Sequence, residues 1–224
     1  MLLQFSVTNH RSIKNTAVIS MKAAADKSMK ECLITPDGKK KIVPVMAIYG
    51  ANAAGKSNVI HALLLMREMV CGNYAKPLKG EELPYEPFAF VDEQIEPTAL
   101  EVIYYYEGIK YAYGFSFNNE IIISEYLYHW PNGREALIFN REKDQYEFRE
   151  SVQEQLTLAG RTSENRLYLT SSNEWNCVQT ENAYLWFQKN LRGLVATGIS
   201  NEITIDAIRK GGEKKQCIVK EMML

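Results

Sequence analysis

An α/β fold with an antiparallel β-rich subdomain is what the sequence predicts, on three observations. The apolar run IVPVMAIY at 42–49 enters a glycine-bounded loop; SNVIHALLLMREMV leaves that loop with helical periodicity; residues 99–148 then alternate tyrosine and β-branched residues between turn signals.

The elements follow in chain order. Residues 2–8 alternate and read as a strand, 16–22 as its partner, with Asn9 to Ser12 turning between them. A polar segment, Ala25 to Lys41, carries Pro36-Asp37-Gly38 turn chemistry and the basic run Lys39, Lys40, Lys41, which reads as solvated loop. The run 42–49 suits a strand buried on both faces. In the helix after it, Val59, Ile60, Leu63, Leu64, Met66 and Met69 make a broad apolar face, and Gly72-Asn73 is its stop.

From Pro77 to Pro97 the chain is rich in proline and acids. ALEVIYYYEG, IKYAYGFSF, EIIISEYLYHW and REALIFNR then read as a four-stranded meander punctuated by Asn118-Asn119 and Pro131-Asn132-Gly133. Its tyrosines read as packing residues of half-buried strands rather than a base-stacking platform. Residues 150–192 return to helical periodicity with a polar break at Ser171-Ser172-Asn173, and the closing EKKQCIVKEMML has helical composition without a stop signal. The divisions expected are 1–76, a lobe around the loop; 77–150, the antiparallel subdomain; and 151–224, a helical segment incomplete at its C-terminus.

Bulk properties exclude several classes. With 46% hydrophobic and 24% charged residues the chain has ordinary globular composition, and a formal net charge of −1 provides no global field for nucleic acid or anionic lipid. Cys32, Cys71, Cys177 and Cys217, like His10, His61 and His129, are scattered without zinc-ligand spacing. No apolar stretch is long enough to cross a bilayer and no cleavable signal opens the chain, so the cytoplasm is the expected compartment and no membrane partner is expected.

The chemistry sits in Gly50-Ala51-Asn52-Ala53-Ala54-Gly55-Lys56-Ser57, which satisfies G-x-x-x-x-G-K-[ST]. Gly50 and Gly55 let the backbone curl so that successive N–H groups point inward, and the helix beginning near Lys56 adds its positive end. Lys56 is expected to reach the β- and γ-phosphates of a nucleoside triphosphate. The Ser57 hydroxyl is expected to ligate Mg²⁺, and Asn52 to hydrogen-bond near the γ-phosphate, with Asn58 following in the first helical turn. A glycine turn with a solvated lysine is the weaker alternative. The fold class is therefore a P-loop NTPase lobe.

Hydrolysis needs an acid after a hydrophobic strand to hold Mg²⁺, and a group to orient water. Phe88-Ala89-Phe90-Val91-Asp92-Glu93 imitates such a strand, but with Pro87 at its head it fits an edge or loop better, and Ile203-Thr204-Ile205-Asp206 is weaker. The sequence thus presents a binding half and no assignable catalytic residues.

LLQFSVTNHRSI at the start and AIYGANAAGKSNVIHAL at the loop, with PYEPFAF, PTALEVIYYYEGIKYAYGF and IISEYLYHW, resemble ATPases of the AAA-15 and AAA-21 type, over essentially the whole chain. Their heads are built like those of the ABC, SMC, Rad50 and RecF proteins. The resemblance implies the N-terminal half of an ABC-type head, ATP rather than GTP, and an antiparallel lobe inserted between two ATPase halves. It also implies Arg11 and Ser12 beside the nucleotide, where the residues alone are equally consistent with a hairpin turn bearing a solvated arginine. His10 stands where the family favours an aromatic, and Ala53 where many relatives have glycine. No signature serine-glycine motif, Walker B pair or switch histidine is recognisable.

The resemblance further implies a second copy as partner, through a nucleotide sandwiched in a homodimer or higher oligomer, with ATP hydrolysis belonging to the full-length or dimeric protein. A regulated effector, a nuclease or toxin in anti-phage defence, is implied as well. Two other classes compete. A nucleic-acid-processing ATPase of Rad50 or overcoming-lysogenization-defect type would want a heptad insertion or an acidic metal cluster. A P-loop kinase would make FAFVDE functional.

Overall fold

The computed structural model describes residues 1–25, 30–36, 38, 41–90 and 96–193. Seven antiparallel strands form one sheet in the order β2-β1-β3-β4-β5-β6-β7. These are β1 (Leu2–Thr8), β2 (Ala17–Ser20), β3 (Thr98–Tyr106), β4 (Ile109–Phe117), β5 (Ile122–Trp130), β6 (Ala136–Glu142) and β7 (Gln145–Phe148). The opening hairpin and the meander share this sheet: β1 pairs with β3 through Phe5↔Val102 and Val7↔Leu100.

Period-two patterning sets the faces. Phe5, Val7, Leu100, Val102, Tyr104, Tyr113, Phe115, Phe117, Leu127 and Phe139 are buried in a single core with residues of the helices. The helices are α1 (Lys56–Cys71), α2 (Val152–Ala159), α3 (Tyr168–Glu174) and α4 (Val178–Lys189). Tyr104 shows how the layers lock: its ring stacks on Trp186 of α4 at 4.1 Å between centroids, and its hydroxyl donates to Ala183 O at 3.1 Å. On the opposite face Gly114 accommodates Tyr126, since a Cβ there would lie 2.6 Å from that ring's Cζ, and the Tyr126 hydroxyl crosses to Glu101.

A carboxylate sits inside this core. Glu125 of β5 is 0% exposed and accepts hydrogen bonds from the Tyr113 hydroxyl (2.9 Å), Tyr168 N (2.6 Å) and Leu169 N (2.9 Å). It therefore caps the first two amides of α3, whose Thr170 hydroxyl donates in turn to Val70 O of α1 at 2.7 Å. The sheet, α3 and the helix that follows the glycine-bounded loop are linked through this chain of bonds.

Two sequence expectations are corrected. The polar break at Ser171-Ser172-Asn173 lies inside α3, with Ser171 and Ser172 buried; the Ser172 hydroxyl is satisfied by Leu169 O and the Thr180 hydroxyl. The breaks fall instead between Ala159 and Tyr168 and around Asn176. More consequentially, the run 42–49 is not a buried strand. Ile42 is buried in bridges to Lys22 and Ile34, and Val43 N donates to Met21 O at 2.8 Å. Beyond it Val45 is 78% and Tyr49 89% exposed, and residues 44–49 make no backbone hydrogen bond to described residues. Burial on both faces requires flanking strands and cover, and the only sheet among the described residues has β2 and β7 as its edges.

Of α1, Ala62, Met66, Met69 and Val70 are buried and Val59, Leu63 and Leu64 half-buried, whereas Ile60 near the helix start is 45% exposed. No described helix is long and apolar enough to cross a membrane. The EKKQCIVKEMML segment, Ile203-Thr204-Ile205-Asp206, and Lys39 and Lys40 lie outside the described residues.

Candidate functional site

Gly55 is the hinge between loop and helix. Its φ of 81° lies in the left-handed region, and a Cβ there would come 2.9 Å from Ser12 Oγ, so glycine is required both for the turn and for the approach of a second segment. Ala53, where the resembled family favours glycine, also adopts a left-handed φ of 61°, which costs an L-residue about 1 kcal/mol. No side chain caps the start of α1, and no acid stands in its first turn. The positive end of the helix therefore faces the loop without an internal counter-charge.

Lys56 turns back into the loop. Its Nζ donates to Gly50 O at 2.8 Å and Ala51 O at 2.5 Å, placing a cation within the ring of loop carbonyls. Gly50, Ala51, Asn52, Ala53 and Ala54 are exposed, as is Ser57, the second residue of α1. This donor set fits a nucleoside triphosphate: the amides of Lys56 and Ser57 at the helix start, Asn58 N being bonded to Gly55 O, with a lysine for the phosphates and a hydroxyl oxygen beside them for a hard cation. A bound Mg²⁺ would supply charge neutralisation at the phosphate oxygens. The Ser57 hydroxyl would hold it; no group of three or more His, Cys, Asp or Glu side chains is assembled among the described residues.

The structure brings Ser12 to the loop. Asn58 Nδ2 donates to Ser12 Oγ at 2.6 Å, joining the Asn9–Ser12 turn to the first turn of α1. Arg11 is engaged elsewhere: its Nε lies 2.5 Å from Glu86 Oε2 and its Nη2 3.3 Å from Oε1, so it is not merely solvated. That pairing holds the Glu86 carboxyl below its ordinary range and raises the Arg11 guanidinium further.

His10 is 1% exposed, with neither ring nitrogen hydrogen-bonded among the described residues. Burial, and then the neighbouring Arg11, push its pKa down.

Sequence reasoning missed Glu86. It stands between Pro84 and Pro87, and its partner is 75 residues away, so the one local signal is a lone acid presented by two prolines of fixed φ. Phe88-Ala89-Phe90, the described half of the Walker B imitation, forms no strand and Phe90 is 84% exposed; Val91, Asp92 and Glu93 lie outside the described residues.

Comparison with protein families adds one match. The family model described as an AAA domain, putative AbiEii toxin, Type IV TA system, aligns with residues 45–197, from the run entering the loop to beyond α4. No curated protein matches the chain.

Proposed function

The chain belongs to this AAA-domain family, a P-loop ATPase type, and from that premise we propose that it is the ATP-binding part of an ABC-type head acting as a nucleotide-dependent switch. The observation that carries the reading is the convergence of the uncapped start of α1, the Lys56 ammonium inside the loop and the Ser57 hydroxyl beside it. Residues Gly50 to Asn58 hold the phosphates, with Lys56 exchanging the carbonyls of Gly50 and Ala51 for phosphate oxygens. Asn52 lies in the exposed part of the loop for the γ-phosphate, and Ser12 steadies the helix start through Asn58.

A second copy presses on the nucleotide in a homodimer or higher oligomer, and the groups that orient water come from outside the described residues. The family's description names a putative toxin of a type IV system, which supports coupling of nucleotide state to a toxin effector; a nuclease effector, a place in the cytoplasm and a part in defence against phage belong to this proposal.

Calorimetric titration with Mg-ATP, followed by a phosphate-release assay, tests the binding claim. Lys56→Ala is expected to abolish binding and leave thermal unfolding unchanged; equal affinity in the variant overturns the assignment. Binding without turnover is expected of this chain. Turnover abolished by Asp92→Asn would favour the kinase reading instead.

A further inference from the structure

Arg11 lies in a turn clamped from two sides. Asn9 and Arg11 both have φ of 51°, in the left-handed region, which asparagine tolerates and arginine adopts at a cost of about 1 kcal/mol. On one side the turn abuts the P-loop, through Ser12 against Gly55 and Asn58. On the other it is held by residues 83–90. Arg11 N donates to Glu86 O at 2.7 Å, Phe88 N donates to Asn9 Oδ1 at 2.9 Å, and the guanidinium grips the Glu86 carboxylate.

Both cations of this region therefore hold internal acceptors: Lys56 the loop carbonyls, Arg11 a carboxylate. The two differ in kind. Carbonyls are neutral, whereas a guanidinium fork that fits a carboxylate fits a phosphate by the same geometry and charge. The Arg11–Glu86 pair is also open to exchange, with side chains 38% and 55% exposed, one residue from the Ser12 contact to the P-loop.

We infer that Glu86 is a positioning residue that stands in for phosphate: it occupies Arg11 in the nucleotide-free chain, and triphosphate binding at the P-loop exchanges it for a phosphate oxygen, loosening residues 83–90. This rests on the P-loop reading above. It makes residues 83–90 the element that reports the nucleotide, since its hold on the turn runs through Glu86, Asn9 and Arg11.

The sign of the expected effect separates this from a structural ion pair. An exposed pair of this kind is worth little, so relieving the competition in Glu86→Gln tightens Mg-ATP binding by about two- to five-fold. A pair needed only to shape the turn would weaken binding when broken. The experiment is calorimetric titration with Mg-ATP of wild type, Glu86→Gln, Arg11→Gln and the double variant, with hydrogen exchange of residues 83–90 followed with and without nucleotide.

Tighter binding in Glu86→Gln that vanishes when Arg11 is also replaced, together with faster exchange of residues 83–90 on adding Mg-ATP to wild type, supports the exchange. Unchanged or weaker binding in Glu86→Gln, beside intact wild-type binding, overturns it. A gain that survives Arg11→Gln also overturns it, because the carboxylate would then act by plain charge repulsion. Absence of binding in every chain overturns the P-loop reading and this inference with it.

Discussion

Replacing Glu125 by alanine tests whether the buried carboxylate organises the helices behind the P-loop. The carboxylate is fully enclosed, and three donors converge on it, the Tyr113 hydroxyl and the amides of Tyr168 and Leu169. Arg141 Nη1 stands 3.6 Å from Oε2, with a side chain only 2% exposed. Arg141 also donates to the carbonyls of Lys143 and Arg166 at 2.7 and 2.6 Å and of Glu164 at 3.3 Å.

Glu125→Ala removes the one anion beside this guanidinium among the described residues and orphans the three donors. Stranding one partner of a buried pair costs about 3–5 kcal/mol, and the three orphaned donors make that figure a lower bound, since each alone is worth about 1–3 kcal/mol. Burial pushes the Glu125 carboxyl above its ordinary range despite Arg141 and the three donors, so desolvation outweighs the attraction. Removing the stranded guanidinium as well, as in Glu125→Leu with Arg141→Met, is accordingly expected to recover the part of the loss due to the uncompensated charge, while the three donors stay unpartnered. Equilibrium urea unfolding followed by circular dichroism measures this as a shift of midpoint at constant slope. A loss below about 1 kcal/mol in Glu125→Ala, or a double variant no more stable than the single one, would refute the reasoning.

Two further perturbations probe the site. Gly55→Ala forces a left-handed φ of 81° on an L-residue and brings its Cβ to 2.9 Å from Ser12 Oγ; thermal unfolding is expected to register a loss of about 1–2 kcal/mol, with weaker Mg-ATP binding by calorimetry. An unaltered melting temperature would show that the loop is not held in this conformation. His10 predicts a pH dependence. Its pKa is depressed in the folded state by burial and Arg11, with Glu86 opposing and His61 adding to the depression. The unfolded chain therefore binds the proton more tightly, and stability present above about pH 6.5 is lost as pH falls toward the depressed value, by at most about 1.4 kcal/mol per pH unit. Melting curves between pH 7.5 and 5.5 are expected to flatten in His10→Phe; an identical slope in the variant would remove His10 as the cause.

Much of the sheet was legible because period-two alternation and turn dipeptides are local signals: 2–8 and four strands of 99–148 form where the pattern puts them, whereas the short edge strand β7, Gln145–Phe148, was not expected. The P-loop and the helix after it were equally plain. What the sequence hid was long-range. Glu125 lies in a run of strand-like residues, and nothing nearby announces that its acceptors serve the amides of Tyr168 and Leu169, 43 and 44 residues on. The serines of α3 misled because a polar pair reads as a break, whereas Ser172 satisfies its hydroxyl within the helical layer. The run 42–49 misled for the opposite reason, since apolar composition states a preference for burial and not whether neighbours exist to provide it.

That run also bears on how the protein behaves in a test tube. Val45, Met46, Ile48 and Tyr49 project into solvent from backbone that pairs with no described residue, a short uncharged stretch of strand-forming side chains. Such a segment is adhesive: it offers amides and apolar surface to any chain that approaches, the starting point of self-association into β-rich aggregates. Shelf life, yield and the concentration at which light scattering rises should therefore be governed by these few residues next to the P-loop more than by the stability of the seven-stranded sheet, and a single lysine at Val45 should improve all three.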